Sequence, residues 1–282
     1  MTLITLHQVS KRYGDRIVLR PLDLAIRGGE SIVVQGANGS GKSTLMRMIA
    51  GVSRPTSGTV DGIPERVGYL PERFRPPSLM RADVYLRHVG RIGNLNATTA
   101  RQRIDSLSHI LGIRPSVNER LGRLSKGNLQ KIGLAQVFLP EHRLIVLDEP
   151  RTGLERAAWP ALDELISNAV QRGAVVVSSE HDAHLIESAP RLLRIAANEA
   201  TVIEQVTALR RVEFVVLPAS EKAGELDRML ARFSSVTVES RTAGRDHSVV
   251  IWADSSEKDA LLLCLLANGW TVNRLRMDGD RG

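Results

Sequence analysis

The stretch Gly36-Ala37-Asn38-Gly39-Ser40-Gly41-Lys42-Ser43-Thr44 meets the spacing G-x-x-x-x-G-K-[ST] at every position. Residues so arranged do phosphate chemistry, because the backbone N–H groups of such a loop wrap around phosphate oxygens. Gly36, Gly39 and Gly41 allow turns where a Cβ would block the approach of the anion. Asn38, Ser40 and Thr44 complete the set that faces a nucleotide. Lys42 carries a charge to the β- and γ-phosphates, and the Ser43 hydroxyl suits Mg²⁺. A second group is Leu144-Ile145-Val146-Leu147-Asp148-Glu149-Pro150, four aliphatics that end in two carboxylates. Asp148 is placed to hold the hydration shell of Mg²⁺, and Glu149 to orient or deprotonate an attacking water. The two groups together predict a chain that binds a nucleoside triphosphate.

Two weaker signals add to these. Leu124-Ser125-Lys126-Gly127-Asn128 precedes a helical run, Leu129 to Leu139, so Ser125 and Gly127 sit at a helix N-terminus. Such an end either faces a phosphate or is an ordinary cap, and its place shortly before the Asp148 strand favours the first. His181 follows the strand Ala174 to Val177, where a histidine can donate to a γ-phosphate oxygen; His184 competes for that role.

These residues need a frame. A strand from Glu30 to Gln35 leads into the glycine-rich loop and a helix from Lys42 to about Gly51 leaves it, its positive end toward the anion. Leu3 to Val9 and Ile17 to Ile26 read as strands around a turn at Gly14-Asp15, and Pro55-Thr56-Ser57-Gly58 reads as a turn. Arg66 to Leu70 is a further strand. From Pro76 to about Asn118 the apolar residues fall at helical spacing, as in Val84, Leu86, Val89 and Ile104, Leu107, Ile110, Leu111. Strands return at Leu144–Leu147, Ala174–Val177 and Leu192–Ile195, separated by helical stretches at Trp159–Val170 and Ala183–Ser188. Alternation of this kind predicts a mainly parallel sheet covered on both faces, with a helical insert over about 73–140.

After about Arg210 the pattern restarts. Strands at Val212–Leu217, Ser235–Glu239, Ser248–Trp252 and Trp270–Leu275 alternate with helices at Glu221–Phe233 and Glu257–Ala267. The order β-α-β-β-α-β predicts a small ferredoxin-like α+β domain over 210–282 that regulates or dimerises. The first domain is expected to span 1–205.

Composition narrows the classes. With 282 residues, 43% of them hydrophobic, the chain can bury two cores. Cys264 is the single cysteine, lies in the run Leu261 to Leu266, and reads as a buried structural thiol. No apolar run is long enough for a bilayer span and Met1-Thr2-Leu3 opens no signal peptide, so a soluble or peripheral protein of the cytosol is expected. The net charge of +7 lies wholly in residues 1–204, with 27 basic against 20 acidic residues, while the remainder balances 11 against 11. Between Arg73 and Arg123 ten arginines face only Asp83, Asp105 and Glu119. That excess is a solvated face, or a contact for an acidic partner or anionic headgroups. Aromatics are 4% and do not interleave with the arginines, so nucleic acid is not expected as a partner.

Taken in order, these motifs resemble the ATP-binding subunit of an ATP-binding-cassette (ABC) transporter over roughly residues 1–205. Gly36 to Thr44 is similar to the family's Walker A, Leu144 to Glu149 to Walker B, and Leu124 to Asn128 to its LSGGQ signature. Thr152-Gly153-Leu154-Glu155 is similar to the D-loop, His181 to the switch histidine, Tyr13 to the aromatic that stacks on adenine, and Glu72 to a loop glutamine. Lys126, Asn128, Glu72 and Glu155 depart from the family pattern, and Ser125-Lys126-Gly127 with Leu70-Pro71-Glu72 resembles the branch that exports drugs, antibiotics, lipids or polysaccharides. The resemblance implies a P-loop NTPase core that hydrolyses ATP with Mg²⁺ held by Ser43, Asp148 and Glu72. It implies head-to-tail pairing with another copy or a relative, Ser125 and Gly127 of one chain closing over the ATP of the other. It also implies a separate transmembrane permease and a place on the inner face of the membrane. A soluble ABC ATPase acting on ribosomes or DNA is the alternative, although such relatives usually carry two cassettes or a long coiled coil.

Overall fold

The computed structural model describes residues 2–113, 118–204, 211–217, 223–233, 236–240, 249–254 and 257–277. The chain divides into two compact units, Met1–Gln205 and Val206–Gly282.

Parallel strands form wherever the sequence shows short aliphatic runs. In the first unit β3 (Ser31–Gly36), β5 (Gly68–Leu70), β6 (Leu144–Leu147), β7 (Val175–Ser179), β8 (Arg191–Ala196) and β9 (Glu199–Glu204) make a six-stranded sheet in the order β5-β6-β7-β3-β8-β9. The first five run parallel, and β9 turns back antiparallel on β8. Every residue of β6 and β7 is buried, as expected of strands covered on both faces. The order also decides the chemistry. Parallel neighbours release their following loops at one edge, so the segments after β3, β5, β6 and β7 emerge side by side.

A second, antiparallel sheet stands beside the first. β1 (Thr2–Tyr13) and β2 (Arg16–Arg27) form the hairpin read from sequence, and β4 (Ser57–Asp61) joins β1 on the other side to give the antiparallel order β2-β1-β4. The turn at Pro55-Thr56-Ser57-Gly58 therefore runs on into a strand. β4 escaped notice because Val60 is its only aliphatic, and β9 because Glu199 and Glu204 bracket a short Ala-Thr-Val-Ile run. Ile4, Leu6, Leu24 and Ile26 from the hairpin and Leu45, Met46 and Ile49 from the first helix, α1 (Lys42–Ile49), share one core with Val34, Val146 and Val177.

The helical insert contains α2 (Ala82–Ile92), α3 (Ala97–Ile110) and, after a 3-10 turn at Leu121–Arg123, α4 (Lys126–Phe138). Asn96 caps α3, accepting from the Thr99 N–H at 2.8 Å. Helix α4 starts three residues earlier than its apolar run, because Ser125 is its N-cap. Ile132, Gly133, Leu134, Ala135 and Val137 are all buried, so α4 is enclosed rather than amphipathic. A Cβ on Gly133 would stand 2.7 Å from a Leu70 side-chain carbon, which brings α4 close against β5. Helices α5 (Trp159–Gln171) and α6 (Ala183–Glu187) complete this unit.

In the second unit β10 (Arg211–Leu217), α7 (Ala223–Leu230), β11 (Thr237–Ser240), β12 (Val249–Asp254), α8 (Lys258–Ala267) and β13 (Thr271–Met277) follow one another, and the strands pair antiparallel in the order β11-β12-β10-β13. Phe214, Val216, Ile251, Ala253, Leu261 and Leu265 centre its core. The expected element starts at Glu221, Ser235 and Ser248 lie outside the described residues. Cys264 is half-buried at the margin of this core instead of inside it, since the inward stripe of α8 is Leu261 and Leu265.

Candidate functional site: a phosphate-binding cavity with an acidic wall

Loop geometry follows from glycine. Gly41 has φ 109°, and a Cβ there would lie 2.8 Å from the Val18 carbonyl oxygen, so this position excludes side chains twice over. At Gly36 a Cβ would meet the Ile195 carbonyl at 2.6 Å and Ser40 Oγ at 2.5 Å. The glycines thus seat the loop between β2 and β8 as well as clearing room for an anion.

Helix α1 begins at Lys42 with Gly41 as its N-cap and no side chain capping it. Its first N–H groups therefore point into the loop without a side-chain acceptor, the arrangement that attracts anions. Lys42 is buried, and its Nζ donates to the Gly36 carbonyl at 2.8 Å and the Ala37 carbonyl at 3.1 Å.

A cavity of about 490 Å³ opens beside this loop. Asn38, Gly39, Gly41, Lys42, Ser43 and Thr44 form one side of it. Tyr13, Arg16 and Val18 from the β1–β2 hairpin form another, and Glu72 and Glu149 face in from the ends of β5 and β6. Tyr13 is 53% exposed, with Lys11 Nζ 5.2 Å from its ring centroid. An open aromatic at the rim of a cavity of this size suits a flat base.

The carboxylates differ sharply. Asp148 is 1% exposed; its Oδ1 accepts from Ser179 Oγ at 3.0 Å, while Oδ2 is buried without a partner. An orphaned buried carboxylate oxygen fits a cation or its bound water. Ser43 and Glu72, which line the cavity, carry further oxygens suited to the same ion. Glu149 is held from three directions. Its N–H donates to Ser179 Oγ at 2.7 Å, its Oε2 accepts from Thr152 Oγ1 at 3.0 Å, and its Oε1 lies 2.9 Å from His181 Nε2. Its φ of 51° is unusual for a residue with a side chain and marks a fixed, tight turn. Burial alone would raise its pKa. The hydrogen bonds from His181 and Thr152, with the charges of His181 and Lys42, outweigh that and hold it below the ordinary carboxylate value. An ionised carboxylate at the cavity wall can accept a proton from water.

Tyr13, Asn38, Gly39, Gly41, Lys42, Ser43, Thr44, Glu72 and Glu149 are thus gathered at one cavity. Gly36 and Ser40 belong to the loop without lining the cavity, Gly36 lying close to Ser40 and Ile195, and Asp148 and His181 connect through Ser179 and Glu149. Ser125 and Gly127 do not line the cavity. Ser125 accepts from the Asn128 N–H at 3.2 Å as the cap of α4, and Gly127 abuts the carbonyl of Gly153, which would stand 2.7 Å from a Cβ there. Sequence reasoning missed Arg16, Ser179 and Gln130. Arg16 was legible from the hairpin, since it pairs with Tyr13. Ser179 was legible as the last residue of a strand beside Asp148. Gln130 Nε2, which donates to the Pro150 carbonyl at 3.0 Å and the Glu149 carbonyl at 3.3 Å, left no signal.

The family described as "ABC transporter" matches residues 19–152. A zinc import ATP-binding protein of Yersinia enterocolitica is 32% identical over 189 residues, which cover 66% of this chain and 72% of that one. The Nod factor export ATP-binding protein I of Rhizobium etli is also 32% identical, covering 68% and 63%. Among solved structures, one titled as the ATP-binding subunit of an ABC transporter superposes with a TM-score of 0.67 at 23% identity, covering 72% of this chain and 90% of that one. The ATP-binding cassette MJ0796, a dimeric post-hydrolysis state bound to ADP and Pi, gives 0.65 at 22% identity, covering 71% and 98%. The chain belongs to the ATP-binding subunits of ABC transporters, a family of ATPases.

Proposed function

We propose that this protein hydrolyses ATP with Mg²⁺ in a head-to-tail pair and so drives export through a separate membrane subunit at the inner face of the membrane. The observation that carries the reading is Glu149, ionised and fixed by His181 and Thr152 in the wall of the cavity that Lys42 and Ser43 also line. Glu149 takes the proton of the attacking water, Lys42 and the α1 N-terminus hold the phosphates, and Tyr13 stacks on the base. Mg²⁺ would be held by Ser43, by Asp148 through water and by Glu72, and would neutralise charge building on the phosphates. His181 keeps Glu149 oriented and reaches for the γ-phosphate. Ser125 and Gly127, away from their own cavity, close over the partner's nucleotide.

Export is supported by the resemblance of Ser125-Lys126-Gly127 and Leu70-Pro71-Glu72 to exporters and by the Nod factor export relative; zinc import relatives match as well. For the membrane subunit the insert offers a groove of about 480 Å³. Tyr85, His88, Val89 and Ile92 line it from α2 at helical spacing, Tyr69 and His142 from the opposite side. Ile92 is 78% exposed, and the exposed Arg87 and Arg91 stand beside it. An amphipathic helix with acidic flanks fits such a groove. Among the described residues no helix is long and apolar enough to cross a membrane.

The decisive experiment is Glu149→Gln. With ATP and Mg²⁺ the variant keeps nucleotide binding, releases phosphate at least a hundredfold more slowly than the native chain, and elutes as a dimer on size exclusion. Native-like phosphate release from this variant defeats the reading.

A further inference from the structure

Arg151 lies two residues beyond Glu149 and is buried, with its side chain 8% exposed. One guanidinium nitrogen, Nη1, donates to Glu180 Oε1; the other, Nη2, donates to Asp163 Oδ1 on α5. The guanidinium carbon stands 5.5 Å from the centroid of the Trp159 ring. Glu180 is 5% exposed and is the residue between Ser179 and His181. Its two neighbours are therefore the groups that hold Glu149, Ser179 through the backbone N–H and His181 through the carboxylate. On the other side Thr152, next to Arg151, holds the second carboxylate oxygen. The planar fork of Arg151 thus joins the turn after β6 to the end of β7 and to α5, with Glu149 suspended between the first two.

A buried ion pair is a poor source of stability, because removing both charges from water costs about as much as their attraction returns. Its value lies in geometry. A guanidinium with two fixed acceptors defines distance and angle, which a packed aliphatic pair does not. We propose that Arg151 and Glu180 form a positioning clamp that keeps Thr152 and His181 on opposite oxygens of Glu149, so that this carboxylate is oriented for water before ATP arrives. Neither residue lines the cavity, so the clamp acts through Glu149 and rests on its reading as the base.

The test compares the full-length native chain with Arg151→Lys, the double variant Arg151→Met/Glu180→Met, and Glu149→Gln. Lysine keeps the charge but cannot span both acceptors; the methionine pair keeps volume and removes the buried charges. The clamp predicts that kcat for ATP hydrolysis falls about tenfold in both while KM for ATP stays within twofold, and that Tm of the methionine pair stays at or above native. A methionine pair with native Tm and native kcat overturns the proposal, since packing alone would then suffice. If that pair does not fold, a folded Arg151→Lys with native kcat overturns it equally. Turnover that survives in Glu149→Gln removes the base and the clamp together, whereas lost turnover there with unaffected Arg151→Lys overturns the clamp alone.

Discussion

Lys42 shows how one residue can serve structure and chemistry in turn. Its buried ammonium spans the loop's own carbonyls, at 2.8 and 3.1 Å from those of Gly36 and Ala37, and is thereby preset where phosphate oxygens would arrive. Lys42→Ala removes a charge-assisted contact of roughly 2–3 kcal/mol, so ATP affinity falls about 30- to 150-fold in a fluorescent-nucleotide titration; unchanged affinity defeats the phosphate assignment. Glu180 carries a different signature. Burial pushes it up to about 7, against the pull of Arg151. Between the ordinary 4.5 and about 7 the folded chain retains a proton that the unfolded chain has released. Its contribution to stability is therefore full below that window and lost as pH rises through it. Chemical denaturation across the window should show native stability declining relative to Glu180→Gln, and parallel profiles would refute the assignment. At this scale the sequence was most readable where spacing itself encodes a device, as in Gly36 to Thr44. It was silent where contacts join distant segments: nothing near Arg151 announces Glu180.

Elements were legible in proportion to how strongly one period dominates them. Aliphatic runs marked β3, β6, β7 and β8, most plainly in β6 and β7, which are buried on both faces and need them. β4 and β9 were not, since edge strands tolerate polar residues and take their register from neighbours. In the insert, the arginine excess read from sequence is partly neutralised: Arg81 and Arg87 both reach Asp83, each at 3.0 Å. The groove beside α2 is therefore set as much by Ile92 and Val89 as by charge. Burial also pushes His142 in its wall below the ordinary histidine value. Pairing Ile92→Asp with Arg91→Glu should abolish copurification with a multi-span membrane protein while leaving ATP affinity within twofold. Intact assembly would remove the groove from consideration as the docking site.

At the scale of the whole molecule, the placement of Ser125 raises the question of who uses it. It caps α4 and is exposed, yet it stays out of the cavity that Lys42, Ser43 and Glu149 line. If two chains meet head to tail, each nucleotide touches Lys42 of one and Ser125 of the other, and damage at the two positions belongs to different sites. Ser125→Asp is a clean lesion, because aspartate caps a helix as well as serine does while setting a negative charge against the partner's phosphates. Homodimers of Ser125→Asp or of Lys42→Ala then carry two broken sites each. Mixing the two variants creates pairs in which one site inherits both lesions and the other inherits neither. ATP hydrolysis should reappear on mixing, with no more than one intact site in each mixed pair. Two inactive preparations that stay inactive together, although both fold and exchange subunits, would mean that each chain completes its own site and that the head-to-tail arrangement is wrong.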